Sequence, residues 1–203
     1  MRSQAPDRRT VRLADYAPPA FATERVELDF DLEPERTTVT ARQSFARRAA
    51  APAPLVLDGE GLELVRIAID GQELTPDAYA LDATSLTLPD PPERFTLEIT
   101  NRIAPAANTA LEGLYISSGI FCTQCEAEGF RRITWFQDRP DVMTRFRVRL
   151  EAEKARYPHL LSNGNPIGQG DLPQGRHWAL WDAPFPKPAY LFALVAGDLA
   201  LLP

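Results

Sequence analysis

Alternation between apolar and polar residues is the feature that most restricts the fold of this chain. From Val26 to Leu32 every second residue is apolar, and the residues between them are acidic. Successive side chains of a β-strand point to opposite faces of a sheet, so this period of two predicts a strand with one buried face at residues 23–32. Further strands are predicted at residues 37–45, 55–57, 62–69, 73–74, 86–88, 95–99, 145–152 and 177–181.

Helical periodicity is missing from the sequence. No segment places apolar residues at i, i+3, i+4 and i+7 over three turns, which is the pattern of an amphipathic helix. Asp70-Gly71 and Asn163-Gly164 are hairpin signals between predicted strands. The near-continuous apolar run from Tyr190 to Ala196 predicts a last strand buried on both faces. The residues alone therefore predict an all-β fold, either a sandwich or an open, curved sheet.

The domain organisation predicted from the sequence is simple. Residues 1–15 are expected to form an N-terminal arm, and residues 16–203 a single β domain. The chain has 19 prolines in 203 residues, close to twice the usual share of about 5%. They are scattered, so they indicate loops between strands and no disordered tract.

Charge and composition exclude several functions. The net charge of −6 argues against nucleic-acid binding, which requires a basic surface. No apolar run approaches the roughly 18 residues that span a membrane. Residues 1–13 are polar and basic and lack the apolar core of a secretory signal, and two cysteines are too few for a disulfide scaffold. We therefore expect a cytoplasmic protein with neither nucleic acid nor membrane as a partner.

The sequence supplies no complete catalytic or metal-binding motif. Cys122 and Cys125 form a CxxC pair, but a structural zinc site needs four ligands and there is no second pair. His159 and His177 are too far apart for an HExxH motif, and no G-x-S-x-G marks a nucleophile. We expect two reduced, partly buried thiols and no metal ligand or catalytic residue in this chain. An independent hydrolase is the weakest hypothesis.

Gln124, Glu126 and Glu128 are the candidate binding residues. On an extended segment they would share one face, and the small residues Cys125 and Ala127 would share the other. Composition alone favours a solvated strand face. The alternative is a clamp for a primary ammonium, because a carboxylate supplies charge and an amide oxygen supplies a neutral acceptor.

A stand-alone binding module is a further alternative. Its partner would be a peptide at an exposed edge strand or a carbohydrate on an aromatic platform. The sequence offers four aromatic residues for such a platform, although core packing is the favoured interpretation for most of them: Trp135, Phe136, Trp178 and Trp181.

From about Tyr16 to its end, the chain resembles the N-terminal domain of bacterial M1-family zinc aminopeptidases of the aminopeptidase N type. The resemblance is carried by CTQCEAEGFRRIT at residues 122–134 and DRPDVM at residues 138–143. Four further segments match in the same order: NTALEGLY at 108–115, LSNGN at 161–165, DAPFPKP at 182–188 and LFALVAGD at 191–198.

This resemblance implies a saddle-shaped, multi-stranded and mostly antiparallel β-sheet or sandwich domain. It also implies that Gln124 and Glu126 line the substrate site and bind the α-amine of a peptide, whereas Glu128 receives no role. HExxH and the other catalytic motifs are missing here, so we expect a truncated chain that is not an enzyme alone. Zinc would lie in an absent catalytic domain of the same polypeptide, packed over Gln124, Glu126 and residues 131–136.

Overall fold

A computed structural model describes residues 12–200, and strands dominate this part of the chain. Fifteen strands follow one another: β1 Phe21–Asp31, β2 Thr37–Arg47, β3 Leu55–Asp58, β4 Glu63–Ile69, β5 Gln72–Glu73, β6 Ala80–Leu81, β7 Ser85–Leu88, β8 Arg94–Ile103, β9 Gly113–Ser117, β10 Ile120–Gln124, β11 Thr144–Glu153, β12 His159–Ser162, β13 Asn165–Asp171, β14 Arg176–Lys187 and β15 Leu194–Gly197. The helical elements of residues 12–200 are single 3₁₀ turns: Leu13–Asp15, Pro76–Ala78, Pro105–Ala107, Phe130–Arg132, Pro173–Gly175 and Ala189–Leu191.

An eight-stranded sheet forms one layer, in the order β13-β14-β11-β1-β2-β8-β4-β5. Its neighbours pair antiparallel, with one exception: β1 and β11 run parallel, from Arg25 beside Arg145 to Asp31 beside Glu151. A parallel pair cannot be joined by a hairpin and needs a long connection. Here the connection contains β2 to β10, so strands distant in sequence meet at the centre of the sheet.

Two small sheets cover the inner face of the large one. The sheet β12-β15-β10-β9 packs on the central strands, where Phe30 and Phe146 meet Phe121 and Leu194 in one buried cluster. The sheet β3-β7-β6 contributes to a second cluster together with β2, β4 and β8. The predicted all-β, mostly antiparallel fold is confirmed. Among residues 12–200, no helix has the length and apolar character of a membrane span.

Most predicted strands are present, with ends shifted by a few residues, but the interpretation of Tyr190–Ala196 is wrong. Residues 189–191 form a 3₁₀ turn, and the strand is limited to Leu194–Gly197, where Val195 is partly exposed between the buried Leu194 and Ala196. The side chain of Asn163 explains the difference. Its Oδ1 accepts from the Ala193 N–H at 2.7 Å and its Nδ2 donates to the Leu191 carbonyl at 3.2 Å, so this backbone bonds to a side chain.

The predicted boundary between an arm at 1–15 and a domain at 16–203 stays a prediction. Residues 1–11 and 201–203 lie outside the described residues. At the start of the described part, the Tyr16 hydroxyl donates to Asp141 at 3.1 Å, and Arg139 Nη2 donates to the Ala17 carbonyl at 2.9 Å.

Candidate functional site

Gln124 and Glu126 lie where β10 ends and a tight turn begins. β10 is held on both sides, because it pairs with β9 as far as Gln124 and with β15 at residues 121 and 122. The chain then turns through residues 125–129, where the Gly129 N–H donates to the Cys125 carbonyl at 2.9 Å. The peptide bond between Glu126 and Ala127 is cis. A 3₁₀ turn at residues 130–132 follows.

The turn changes which side chains share a face. Gln124, Glu126 and Glu128 are all exposed and Cys125 is 2% exposed, as the alternating pattern predicts. Ala127 is exposed as well, so its predicted place on the buried face is wrong. The physical reason is that the strand stops at Gln124, and beyond it the period of two no longer applies.

A hydrogen bond joins the two candidate residues. The side-chain amide nitrogen of Gln124, Nε2, donates to the backbone carbonyl of Glu126 at 3.2 Å. With Nε2 engaged by the backbone, the remaining polar atom of this side chain is Oε1, an acceptor. The structure therefore brings Gln124 and Glu126 together on one short turn.

Two glycines make this compact arrangement sterically possible. A Cβ atom on Gly129 would lie 2.4 Å from the Gln124 carbonyl oxygen and 3.0 Å from the Gly113 nitrogen. Gly113 has φ +73°, and a Cβ there would lie 2.8 Å from Arg132 Cβ. The backbone segments of β9, the turn and the 3₁₀ turn are thus closer than side chains would permit.

The segment after the turn fills the core of the domain. The Phe130 ring lies 5.0, 5.8 and 5.2 Å from the rings of Phe136, Phe146 and Phe192. Ile133 and Trp135 are also buried. The expectation that all of residues 131–136 face another domain is therefore wrong. Large apolar side chains of this segment pack between the sheets of this chain, and only Arg131 and Arg132 remain partly exposed.

A buried carboxylate holds the start of the 3₁₀ turn. Asp138 Oδ2 accepts from the Arg131 backbone N–H and from Arg131 Nε, both at 3.1 Å, and Arg131 Nη2 donates to the Asp138 carbonyl at 3.2 Å. Burial raises the pKa of Asp138 above its ordinary value, and the hydrogen bonds from Arg131 oppose this rise. No sequence pattern indicated this pair, because the two residues lie seven positions apart in irregular structure.

The Glu126 carboxylate is not engaged by a cation within the described part of the chain. Glu128, two positions on, lies 3.5 Å from Arg131 Nη1. Arg132 pairs with Glu60 at 2.8 Å and with Glu112 at 3.2 Å. None of the ion pairs formed by residues 12–200 includes Glu126, so the nearby arginines bind other carboxylates and leave this one exposed.

The cysteines and histidines are placed in separate structural roles. Both thiols are free. Burial raises the pKa of Cys122, and burial followed by the charge of Asp138 raises the pKa of Cys125 to about 12. The His177 Nε2 lies 2.8 Å from the Tyr157 carbonyl. Within residues 12–200, no three His, Cys, Asp or Glu side chains are grouped so that they could hold a metal ion.

The aromatic residues considered for a binding platform divide into two pairs. Trp135 and Phe136 belong to the core. Trp178 and Trp181 are half-buried and line an open cleft of about 530 Å³ between β12 and the β13–β14 edge, together with His159 and His177. Trp181 Nε1 donates to the Leu160 carbonyl at 3.0 Å, so this ring helps to join the two sheets.

Comparison with known proteins gives consistent matches over nearly the whole chain. The sequence model of the peptidase M1 N-terminal domain matches residues 22–191. Aminopeptidase N of Caulobacter vibrioides is 55% identical over 202 residues, which are 100% of this chain and 23% of that protein. Aminopeptidase N of Escherichia coli is 53% identical over 93% of this chain and 21% of its own length. The chain thus spans less than a quarter of these curated relatives.

Solved structures agree with this result. Legionella pneumophila aminopeptidase A, crystallised with aspartic acid, superposes with a TM-score of 0.88 and 36% identity, over 94% of this chain and 23% of that one. An M1 zinc metallopeptidase from Deinococcus radiodurans, bound to a Tyr-Ser-Ala substrate, gives a TM-score of 0.75 over 88% of this chain and 43% of that one. Its identity is 18%, so this second likeness shows the fold alone.

Proposed function

The chain belongs to the peptidase M1 N-terminal domain family, and we propose that it is the non-catalytic N-terminal part of a zinc-dependent aminopeptidase, a hydrolase that removes residues from peptide N-termini. The aminopeptidases that it resembles at 55% and 53% identity support this proposal. The peptide-bound Deinococcus enzyme shares the fold. The partner of this chain would be the catalytic domain of the same polypeptide, in the cytoplasm.

Within that enzyme, we assign α-amine binding to Glu126 and Gln124. The single observation that carries the assignment is the exposed, cation-free carboxylate of Glu126 on a turn whose other acidic residue, Glu128, is already paired. An ammonium group has three donors and no acceptor. Glu126 would accept one charged hydrogen bond, and Gln124 Oε1 would accept another, because its Nε2 donates to the Glu126 carbonyl.

Such a site would make the enzyme an exopeptidase. A fixed distance between the amine-binding turn and the catalytic centre selects the first peptide bond of the substrate. An internal peptide segment brings no charge to Glu126, so it would leave this carboxylate uncompensated when the site closes. Zinc, when bound to a catalytic domain, supplies polarisation of the scissile carbonyl and activation of water. The residues of this chain hold and orient the substrate amine.

The decisive experiment compares substrates with and without a charged amine. In the whole enzyme that contains this chain, Glu126→Gln keeps the shape of the side chain and removes its charge. Turnover of a free-amine aminoacyl-anilide should fall, and the slow turnover of its N-acetylated form should not change. An equal effect on both substrates would contradict the assignment, because a general structural defect does not distinguish them.

A further inference from the structure

The turn that carries Glu126 is held at both ends, and the two ends are held differently. Before the turn, the β10 backbone is fixed by pairing with β9 and β15. After the turn no strand follows until β11, and the 3₁₀ turn at residues 130–132 is too short to stabilise itself. The side of the turn that follows Glu126 is held by one long-range backbone bond, from the Glu60 N–H to the Arg131 carbonyl at 3.0 Å, and by side-chain contacts.

Arg131 supplies those contacts through all three nitrogens of its guanidinium group. Nε and Nη2 bond to the carboxylate and the carbonyl of Asp138, at 3.1 and 3.2 Å, while Nη1 lies 3.5 Å from Glu128. The Arg131 side chain is 17% exposed and that of Asp138 is 2% exposed. A two-point bond of this kind fixes orientation as well as distance.

Asp138 is itself anchored to the second core. Its backbone N–H donates to Asp58 Oδ2 at 3.1 Å, at the end of β3. The backbones of Asp58 and Phe136 exchange two hydrogen bonds, at 2.7 and 3.0 Å. A continuous set of polar contacts thus connects the three-stranded sheet with Asp138, then with Arg131, and finally with Glu128 in the turn.

We propose that Asp138, acting through the guanidinium fork of Arg131, is the positioning residue that sets the location of the Glu126 carboxylate. The inference rests on the proposed function, since it names what places the amine-binding group. Neither residue needs to touch the substrate. Misplacing a binding group by about 1 Å is enough to lower the rate of an enzyme strongly, even when all the binding groups are present.

Arg131→Lys in the whole enzyme tests this role. Lysine keeps the positive charge beside Asp138 but cannot make the two-point bond. The matched control is Arg139→Lys, because Arg139 also makes a two-point bond, to Asp141 at 2.9 and 2.7 Å, on the same loop but without contact to the turn. Each change is made with Glu126 intact and with Glu126→Ala.

Three measurements give the outcome: kcat/KM on a free-amine substrate, the melting temperature, and deuterium uptake by the peptide that covers residues 124–132. We expect Arg131→Lys to lower kcat/KM about tenfold when Glu126 is present and less than twofold when it is alanine. Deuterium uptake over the turn should be faster, and the melting temperature should fall, because the buried Asp138 carboxylate loses a hydrogen-bond donor. Arg139→Lys should alter neither kcat/KM nor uptake over the turn.

Two results would overturn the inference while leaving amine binding intact. The first is a tenfold fall in kcat/KM from Arg131→Lys both with Glu126 intact and with Glu126→Ala, because the effect would then not depend on Glu126. The second is a large loss from Glu126→Ala with no change of rate or uptake from Arg131→Lys. If Glu126→Ala itself leaves kcat/KM unchanged, the amine-binding role is refuted and the positioning role fails with it.

Discussion

Gln124 and Glu126 are joined by a hydrogen bond from the side-chain amide of the first to the backbone carbonyl of the second, at 3.2 Å. The bond settles the direction of the Gln124 amide, with its nitrogen towards the turn. It also makes the two side chains parts of one local structure, because a change of the turn moves both. The amine-binding proposal therefore concerns the geometry of residues 124–129 as a unit.

The first prediction concerns Gln124 and Glu126, the proposed amine-binding residues, in the full-length protein that contains this chain. Removing one partner of a buried charge pair costs roughly 2–5 kcal/mol, so Glu126→Ala should lower kcat/KM on free-amine substrates by about 30-fold to several thousand-fold. Glu126→Gln should lie between alanine and the unchanged enzyme. Gln124→Ala removes a neutral acceptor and should cost about 1 kcal/mol. Steady-state kinetics checks the order, with zinc content measured as the control.

The second prediction compares two phenylalanines that differ in burial. Phe130 is 0% exposed within the aromatic cluster, and Phe185 is 81% exposed. Phe130→Ala should lower the free energy of unfolding of the 203-residue chain by about 3–5 kcal/mol, because it leaves a cavity. Phe185→Ala should change it by less than about 0.5 kcal/mol. Urea denaturation measures both, and similar losses would contradict the packing described for the core.

The third prediction concerns the thiols at alkaline pH. Burial raises the pKa of Cys125 to about 12. In the folded chain at pH 8.5, an alkylating reagent should therefore modify Cys122 well before Cys125, because the thiolate is the reactive form. Fragmentation of the tryptic peptide that covers residues 103–131 in the mass spectrometer assigns the label to one cysteine or the other, and equal labelling in the folded state would be contrary evidence.

The raised pKa of Cys125 also determines how the contribution of this thiol to stability changes with pH. Between the ordinary pKa near 9 and about 12, the unfolded chain loses the thiol proton and the folded chain keeps it. The folded state binds more protons there, so the contribution of this group to stability is complete below pH 9 and is lost as the pH rises. Cys125→Ala should remove this part of the alkaline destabilisation.

The fourth prediction concerns Lys187, whose contribution to stability changes with pH in the opposite direction to that of Cys125. Its Nζ is buried, makes no hydrogen bond to residues 12–200, and lies 4.2 Å from the centre of the Phe146 ring. Burial lowers the pKa of Lys187 to about 8. Between pH 8 and 10.5 the unfolded chain keeps a proton that the folded chain has released, so this group raises stability as the pH rises.

A comparison of Lys187→Met with the unchanged chain isolates that contribution. Methionine has a similar length and no charge to desolvate, so the variant should be at least as stable as the unchanged chain at pH 7. The difference between the two should shrink when urea unfolding is repeated at pH 9.5. A variant that is much less stable at pH 7 would indicate that the ammonium has a partner.

The sequence predicted the strands well where one face of a strand is buried by the core. β1 and β11 are examples, since their apolar residues alternate in sequence and their burial alternates in the structure. It did not predict which strands pair. The parallel contact between β1 and β11 joins residues more than one hundred positions apart, and nothing in either local pattern specifies that partner.

The candidate site was predictable only in part. The alternating pattern predicted that Gln124 and Glu126 share one face and that Cys125 lies on the other, and the structure has the first two exposed and Cys125 buried. The shape of the turn was not predictable, because it depends on close approach to Gly113 and on the hydrogen bonds between Arg131 and Asp138. These contacts come from other parts of the chain. The prediction therefore extended the alternating pattern to residue 128, whereas the strand ends at Gln124.

The central position of β1 has a consequence for synthesis on the ribosome. Residues 21–31 emerge long before residues 144–153, so the growing chain presents one edge of β1 without its neighbour. An unpaired strand edge can form hydrogen bonds with a strand of another molecule, and pairing between strands distant in sequence is slow to form. Acidic residues alternate along this edge, and the register later sets Glu27 beside Arg147 and Asp29 beside Arg149. Glu27 and Asp29 are paired by Arg25 and Arg42, residues of β1 and β2, so these two carboxylates have cationic partners before β11 is made.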